Sequence, residues 1–251
     1  MNTGRPEFSV LGYGVHYEVG MWAFCVQSLF REYGWRFIRH VALPHPLRTA
    51  RAVVKSGRLA LAGSMVPVSE WPGHFTGGPG TVVGLGFCMK PMDCPSGRFN
   101  HDCRYLERLR TSMPGSCRGC AIGVLGRLAL KAGSALYIMT SAQDILFDLF
   151  VPALEKRRFA AGLFLLCRYS LRPFSVGLLA ADMSGLMVPF DDGDCRDYPT
   201  WLLADTGTKR ERTCLGERGM RAVHDVLLRA GKPESPTRFT RIGHVFFPAA
   251  D

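Results

Sequence analysis

From residue 121 onward, short unbroken apolar runs alternate with stretches in which apolar residues recur at three- and four-residue steps. Ile122, Leu125, Leu128 and Ala129 make one helical face that closes near Gly133. Ile145, Leu146, Leu149, Phe150 and Leu154 make a second, in which Pro152 predicts a kink or a restart. Between and after these faces, residues 135–139, 161–167 and 186–190 are apolar enough for strands buried on both sides. Residues 175–180 fit either a further strand or the core side of a helix. Met220, Val223 and Leu227 predict a last amphipathic helix, closed by Gly231 and Pro233. Strands alternating with helices predict an α/β fold, a mostly parallel sheet flanked by helices.

The first half has a different texture. Val15, Val19, Trp22, Val26, Leu29 and Tyr33 recur at helical spacing, with Gly34 as a stop signal. Residues 73–120 are rich in Gly, Pro and Cys, and apart from a short apolar strand at 82–87 they lack a periodic segment, so loops must dominate. Three regions follow: an N-terminal α/β segment (1–72) packing on the core, a Cys-rich metal-binding loop insertion (73–120), and an alternating helix-strand, Rossmann-like core (121–251).

Composition narrows the classes. A chain of 251 residues with 47% hydrophobic and 21% charged residues can bury a substantial core, which excludes collagen, coiled coil and wholesale disorder. The formal charge is +10, but 25 of the 31 bases are arginine, and the excess alone is a weak argument for nucleic acid. Seven bases and one acid lie in 31–58, which suits a solvated face or a phosphate-facing stripe. The most apolar long stretch, 159–181, carries Arg168, Arg172 and Pro173 at its middle, so it reads as a buried strand with a charged turn and no membrane partner is expected. Glu7, His16 and Glu18 stand where the apolar part of a secretory signal would lie, and the expected compartment is the cytoplasm.

The chemistry lies in the cysteines. Nine of them in a chain too large to need stapling favour metal-bound or reactive thiols over a disulfide framework. Five, Cys88, Cys94, Cys103, Cys117 and Cys120, fall within thirty-three residues. A C-x2-C pair such as Cys117 and Cys120 can aim two thiolates at one metal, and Gly119 between them suits the tight turn required. Pro95 after Cys94 is a second signal, since proline follows a ligand cysteine in bacterial ferredoxin-type runs. The spacings C-x5-C-x8-C-x13-C-x2-C are irregular, which suits an iron-sulfur cluster, 4Fe-4S above all, better than structural zinc; zinc remains the alternative. The expected ligands are Cys94, Cys103, Cys117 and Cys120, with Cys88 a replacement ligand or part of a second site. Lys90, Arg98, Arg104, Arg108, Arg110 and Arg118 surround the run and would offset a cluster's negative charge.

Other residues are weighed in the same way. His101, beside Cys103, is a nitrogen ligand or, more in keeping with its isolation, a hydrogen-bonding neighbour. Cys167 ends an apolar run, where ligands bind in parallel sheets, and Arg168 beside it would favour a thiolate; a packing role fits Cys167 equally. Cys25 reads as core, and Cys195 and Cys214 as incidental. Six acids against one base in 182–205 read as a solvated loop, because the pattern lacks the glutamate that completes a calcium loop. The glycines at 77–80 and 84–86 lack the endings that phosphate and dinucleotide loops need, and no G-x-S-x-G or H-E-x-x-H occurs.

The segment Cys117-Arg118-Gly119-Cys120-Ala121-Ile122-Gly123, followed by a helix, the Tyr137-Ile138 strand, a second helix and a strand ending in Cys167, resembles an uncharacterised cysteine-rich family of anaerobic bacteria and archaea. The likeness spans roughly residues 88–180 and matches Cys117, Cys120 and Cys167. It implies an iron-sulfur protein without assigning a reaction. The expected function is electron transfer, which requires a redox partner protein, or redox chemistry on a small ligand near Cys167. The alternative is a zinc-stapled module whose basic face engages nucleic acid or an acidic partner.

Overall fold

A computed structural model describes residues 7–10, 13–16, 32–61, 64–68, 75–107, 115–231 and 239–249. Cys25, Arg108, Arg110 and most of the helix expected over 15–33 lie outside them. Within them, β1 (Glu7–Val10) and β2 (Tyr13–His16) form an antiparallel hairpin, so the helical reading fails at Val15. Gly34 is not a stop either: it lies inside α1, a helix over Glu32–Phe37 that continues as a wider turn through Ile38–Ala42.

The remaining strands form one seven-stranded sheet: β3 (Val66–Val68), β4 (Thr81–Gly86), β5 (Ala135–Met139), β6 (Ala161–Leu166), β7 (Ser184–Pro189), β8 (Phe239–Ile242) and β9 (Val245–Pro248). Their spatial order is β3-β7-β6-β4-β5-β9-β8. The four central strands are parallel, while β3 at one side and β9-β8 at the other run antiparallel. The sheet is therefore mixed, with a parallel centre.

Helices cover both faces. Val83, Leu85, Leu136, Ile138, Leu163 and Leu165 point to one face, under α3 (Ala121–Lys131) and α7 (Glu217–Ala230). Val82, Tyr137, Met139, Phe164 and Leu166 point to the other, under α2 (Pro46–Arg58), α4 (residues 142–156) and α5 (Leu171–Ala180). Because both faces are buried, the central strands carry unbroken apolar runs. The ambiguous 175–180 stretch is helical, part of α5. The α4 helix accommodates Pro152 through a wide turn at Leu146–Phe150. A shorter helix, α6 (Tyr198–Asp205), precedes α7. Among the described residues no helix is long and apolar enough to cross a membrane.

Two N-terminal elements join this core. The β3 strand extends the sheet edge, and α2 packs on α5 with the Ser56 and Ser175 hydroxyls 2.7 Å apart.

A capping box starts α4, in which the Ser141 hydroxyl accepts from Asp144 N–H and the Asp144 carboxylate accepts from Ser141. The carboxyl of Asp144 is held well below the usual range, first by a hydrogen bond from His101, against burial, and then by Thr140 and Ser141. A depressed folded-state pKa means this contribution is present above about pH 4 and is lost as pH falls. Asp144→Asn is expected to lower stability by about 1 kcal/mol at neutral pH, with the difference from the parent shrinking in acid; urea unfolding at several pH values measures it.

Candidate metal centre

The strand order decides where chemistry can happen. The chain leaves β4 toward α3 on one face and leaves β6 toward α5 on the other, although β4 and β6 are neighbours. Such a switch point opens a crevice beyond the carboxyl ends of the strands. Cysteines collect there in two groups.

The first group lies in the segment between β4 and α3. After the turn Phe87–Met89 the chain runs through loops and two single-turn helices, Arg104–Glu107 and Gly115–Arg118. Cys94, Cys103 and the Cys117–Cys120 turn line one pocket together with Lys90, Ser96, Asp102 and Tyr105. Local hydrogen bonds hold the turns: Cys94 N–H to Pro91 O, Gly97 N–H to Cys94 O, Leu106 N–H to Cys103 O and Cys120 N–H to Cys117 O. Gly97 takes φ +76°, a conformation that favours glycine. Burial raises the pKa of Cys103, against the nearby backbone N–H groups of Leu106 and Tyr105, which favour its thiolate. That of Cys117 is also raised, by burial and then by Cys94 and Cys120. The thiols thus feel one another, and a cation between them would turn that repulsion into binding.

Lys90 is 1% exposed and donates to Gly97 O at 3.2 Å, Asn100 O at 2.8 Å and Asn100 Oδ1 at 2.6 Å. Burial lowers its pKa, while the neighbouring Cys94 and Cys103 oppose that shift. Among the described residues no carboxylate forms an ion pair with it. A buried ammonium calls for nearby negative charge; the thiols of Cys94 and Cys103 and, after them, the Asp102 carboxylate act on it. Arg98, Arg104 and Arg118 also flank this segment. Arg98 turns away from the pocket to donate to the carbonyls of Lys209, Arg210, Glu211 and Cys88.

The second group is Cys88, Cys167 and Cys195, which follow β4, β6 and β7, three adjacent parallel strands. All three are buried, and Cys167 donates hydrogen bonds to the sulfurs on either side. The bond from Cys167 brings Cys88 down to about 7 against burial, helped by the positive charge of Lys209 and Arg98. Cys167 itself is raised, since its proton serves both neighbours. Lys209 is 4% exposed, lies 3.5 Å from Cys195 Sγ and donates to Gly193 O. Burial lowers its pKa, but the charge of the three thiols outweighs this and the net shift is upward. Gly86 leaves room for the thiol, because a Cβ there would meet Cys88 Sγ at 3.2 Å.

Cys88 therefore lies with Cys167 and not among the residues lining the four-cysteine pocket. Cys195, read as incidental, is fully buried beside Cys167. Nothing local marks it; only the order of the strands brings it there. Cys214 pairs through its backbone with Asp192. Arg168 is exposed on the turn after Cys167 and does not line the cavity beside it.

His101 sits over the end of β5. Its Nδ1 donates to Ile138 O at 2.8 Å, its Nε2 is 3.2 Å from Thr140 Oγ1, and its ring stacks on His244 at 4.0 Å. Among the described residues His101, Asp148 and His244 form a compact trio of ligating atoms. Those atoms are already engaged with one another and with Ile138, Thr140 and Tyr137, which makes a structural network. The acidic loop is likewise occupied. Asp191 accepts from Gly216 N–H, Asp192 from Gly193 N–H, Asp197 from Thr200 N–H and Asp205 from Ala142 N–H. Its acids end turns and helices.

Compared with family models, curated proteins and solved structures, the chain matches none. The likeness to the cysteine-rich family thus rests on the short segments quoted above.

Proposed function

We propose that the protein binds an iron-sulfur cluster, 4Fe-4S by ligand number, through Cys94, Cys103, Cys117 and Cys120. The cluster serves electron transfer, with a redox partner protein, or redox chemistry on a small ligand at the carboxyl ends of the strands. The observation that carries this reading is that four thiols, from three turns, line one pocket beside a buried ammonium that makes no carboxylate ion pair among the described residues. The donor set is all sulfur and arrives from several directions, which fits a cluster's bulk and iron's preference for thiolate.

When bound, such a group supplies one-electron transfer. The chain's own residues tune it. Lys90 contributes a fixed positive charge that favours the more negative, reduced state, and the N–H groups of Tyr105 and Leu106 stabilise the Cys103 thiolate. Zinc is the competing occupant by ligand type, although among the described residues no three cysteine sulfurs lie within 4.8 Å of one another, as its tetrahedral shell would need.

Protein expressed and purified without oxygen is expected to contain iron and acid-labile sulfide in equal amounts. It should show a broad visible charge-transfer absorption that bleaches on reduction. Stoichiometric zinc without that absorption overturns the proposal.

A further inference from the structure

We infer that Cys88, Cys167 and Cys195 are the three protein ligands of a second iron-sulfur cluster, whose fourth iron carries no protein sulfur and opens onto an adjoining apolar cavity. The inference extends the reading above to different residues and does not require the first cluster to be present.

Four observations converge on it. The three thiols end three neighbouring parallel strands at the switch point, where the fold leaves a crevice. All three line a cavity of about 100 Å³ walled mainly by apolar side chains, among them Phe87, Phe190 and Trp201. The cavity's one carboxylate, Asp205, already accepts the Ala142 N–H at 2.6 Å, so a fourth protein ligand is not at hand there. Finally, two buried polar groups face the thiols and lack an anionic partner. The Lys209 ammonium makes no ion pair with a carboxylate among the described residues. The hydroxyl of Thr213, 1% exposed, is directed at the Cys88 thiol, whose pKa it helps to lower, and has no other partner among the described residues.

Structural zinc wants four ligands and a closed shell. Three thiolates beside an open apolar space suit a cluster with one exchangeable position, and the buried Lys209 cation and the Thr213 hydroxyl at Cys88 would steady its sulfurs and its negative charge.

The test compares reconstituted wild type with Cys167→Ser and with the double variant Cys117→Ser/Cys120→Ser. About eight iron atoms per chain are expected in the wild type, as two four-iron clusters. Each variant should retain about half. Mild one-electron oxidation of the wild type should release the open iron as ferrous ion and give a three-iron electron paramagnetic resonance signal that ferrous ion together with a reductant reverses. That measurement needs no substitution and stands even if Cys167→Ser fails to fold. A wild type with about four irons, unaffected by Cys167→Ser and emptied by the double variant, overturns this inference and leaves the first cluster in place. About four irons, unaffected by the double variant and lost in Cys167→Ser, upholds the inference and overturns the first site. Zinc alone, or no metal, overturns both.

Discussion

Replacing Cys117 and Cys120 together by serine is expected to remove about four irons per chain and to loosen residues 90–120 as a unit. Among its described residues the segment has little regular structure of its own: two single-turn helices, a few turn hydrogen bonds and the Lys90 and Arg98 side chains hold it. Bound metal is folding free energy in such a setting, on the order of 10 kcal/mol for a structural thiolate site. Its loss should therefore exceed any single packing change. Limited proteolysis and hydrogen exchange across 90–120 measure the effect. Protection should fall in the variant and equally in wild type stripped by a chelator, while β4 to β7 stay protected. Unchanged protection and unchanged iron would show that the four thiols hold nothing.

Lys90→Met is expected to have the second largest effect. Methionine fills a similar volume but leaves Gly97 O, Asn100 O and Asn100 Oδ1 without their donor in a buried place. At about 1–3 kcal/mol for each orphaned acceptor, partly recovered by water, a net loss of about 3 kcal/mol is reasonable. The same change removes the fixed positive charge beside Cys94 and Cys103. Adding an electron then becomes harder, so the midpoint potential should move to more negative values. Denaturant unfolding and a redox titration followed by paramagnetic resonance read the two consequences separately. A potential that moves in the positive direction would contradict the placement of Lys90 beside the cluster.

The parallel strands were legible because burial on both faces writes an unbroken apolar run, as in Ala135–Met139 and Ala161–Leu166. Their antiparallel neighbours were not. Three-residue β3 and the half-exposed β8 carry too little pattern, and their place is set by pairing with strands far away in sequence. Gly34 misled because local propensity is a small term that the packing of α1 overrides, whereas Pro152 does mark a restart, standing in the first turn of Val151–Lys156 after the wide turn. At the site, the grouping of Cys94, Cys103, Cys117 and Cys120 could be read from their clustering in sequence. Cys195 could not, because its nearness to Cys88 and Cys167 depends on β7, β6 and β4 being neighbours in space. The acids around it looked like a charged loop because sequence does not reveal which N–H groups lack acceptors.

Arg98 belongs to the Cys94 loop, yet its guanidinium grips the carbonyl of Cys88 and those of residues 209–211. The two sulfur groups are thereby mechanically latched together. Any displacement of the Cys94 loop therefore withdraws the donor that holds the backbone behind Cys88, so the order of one group of thiols is bound to the order of the other.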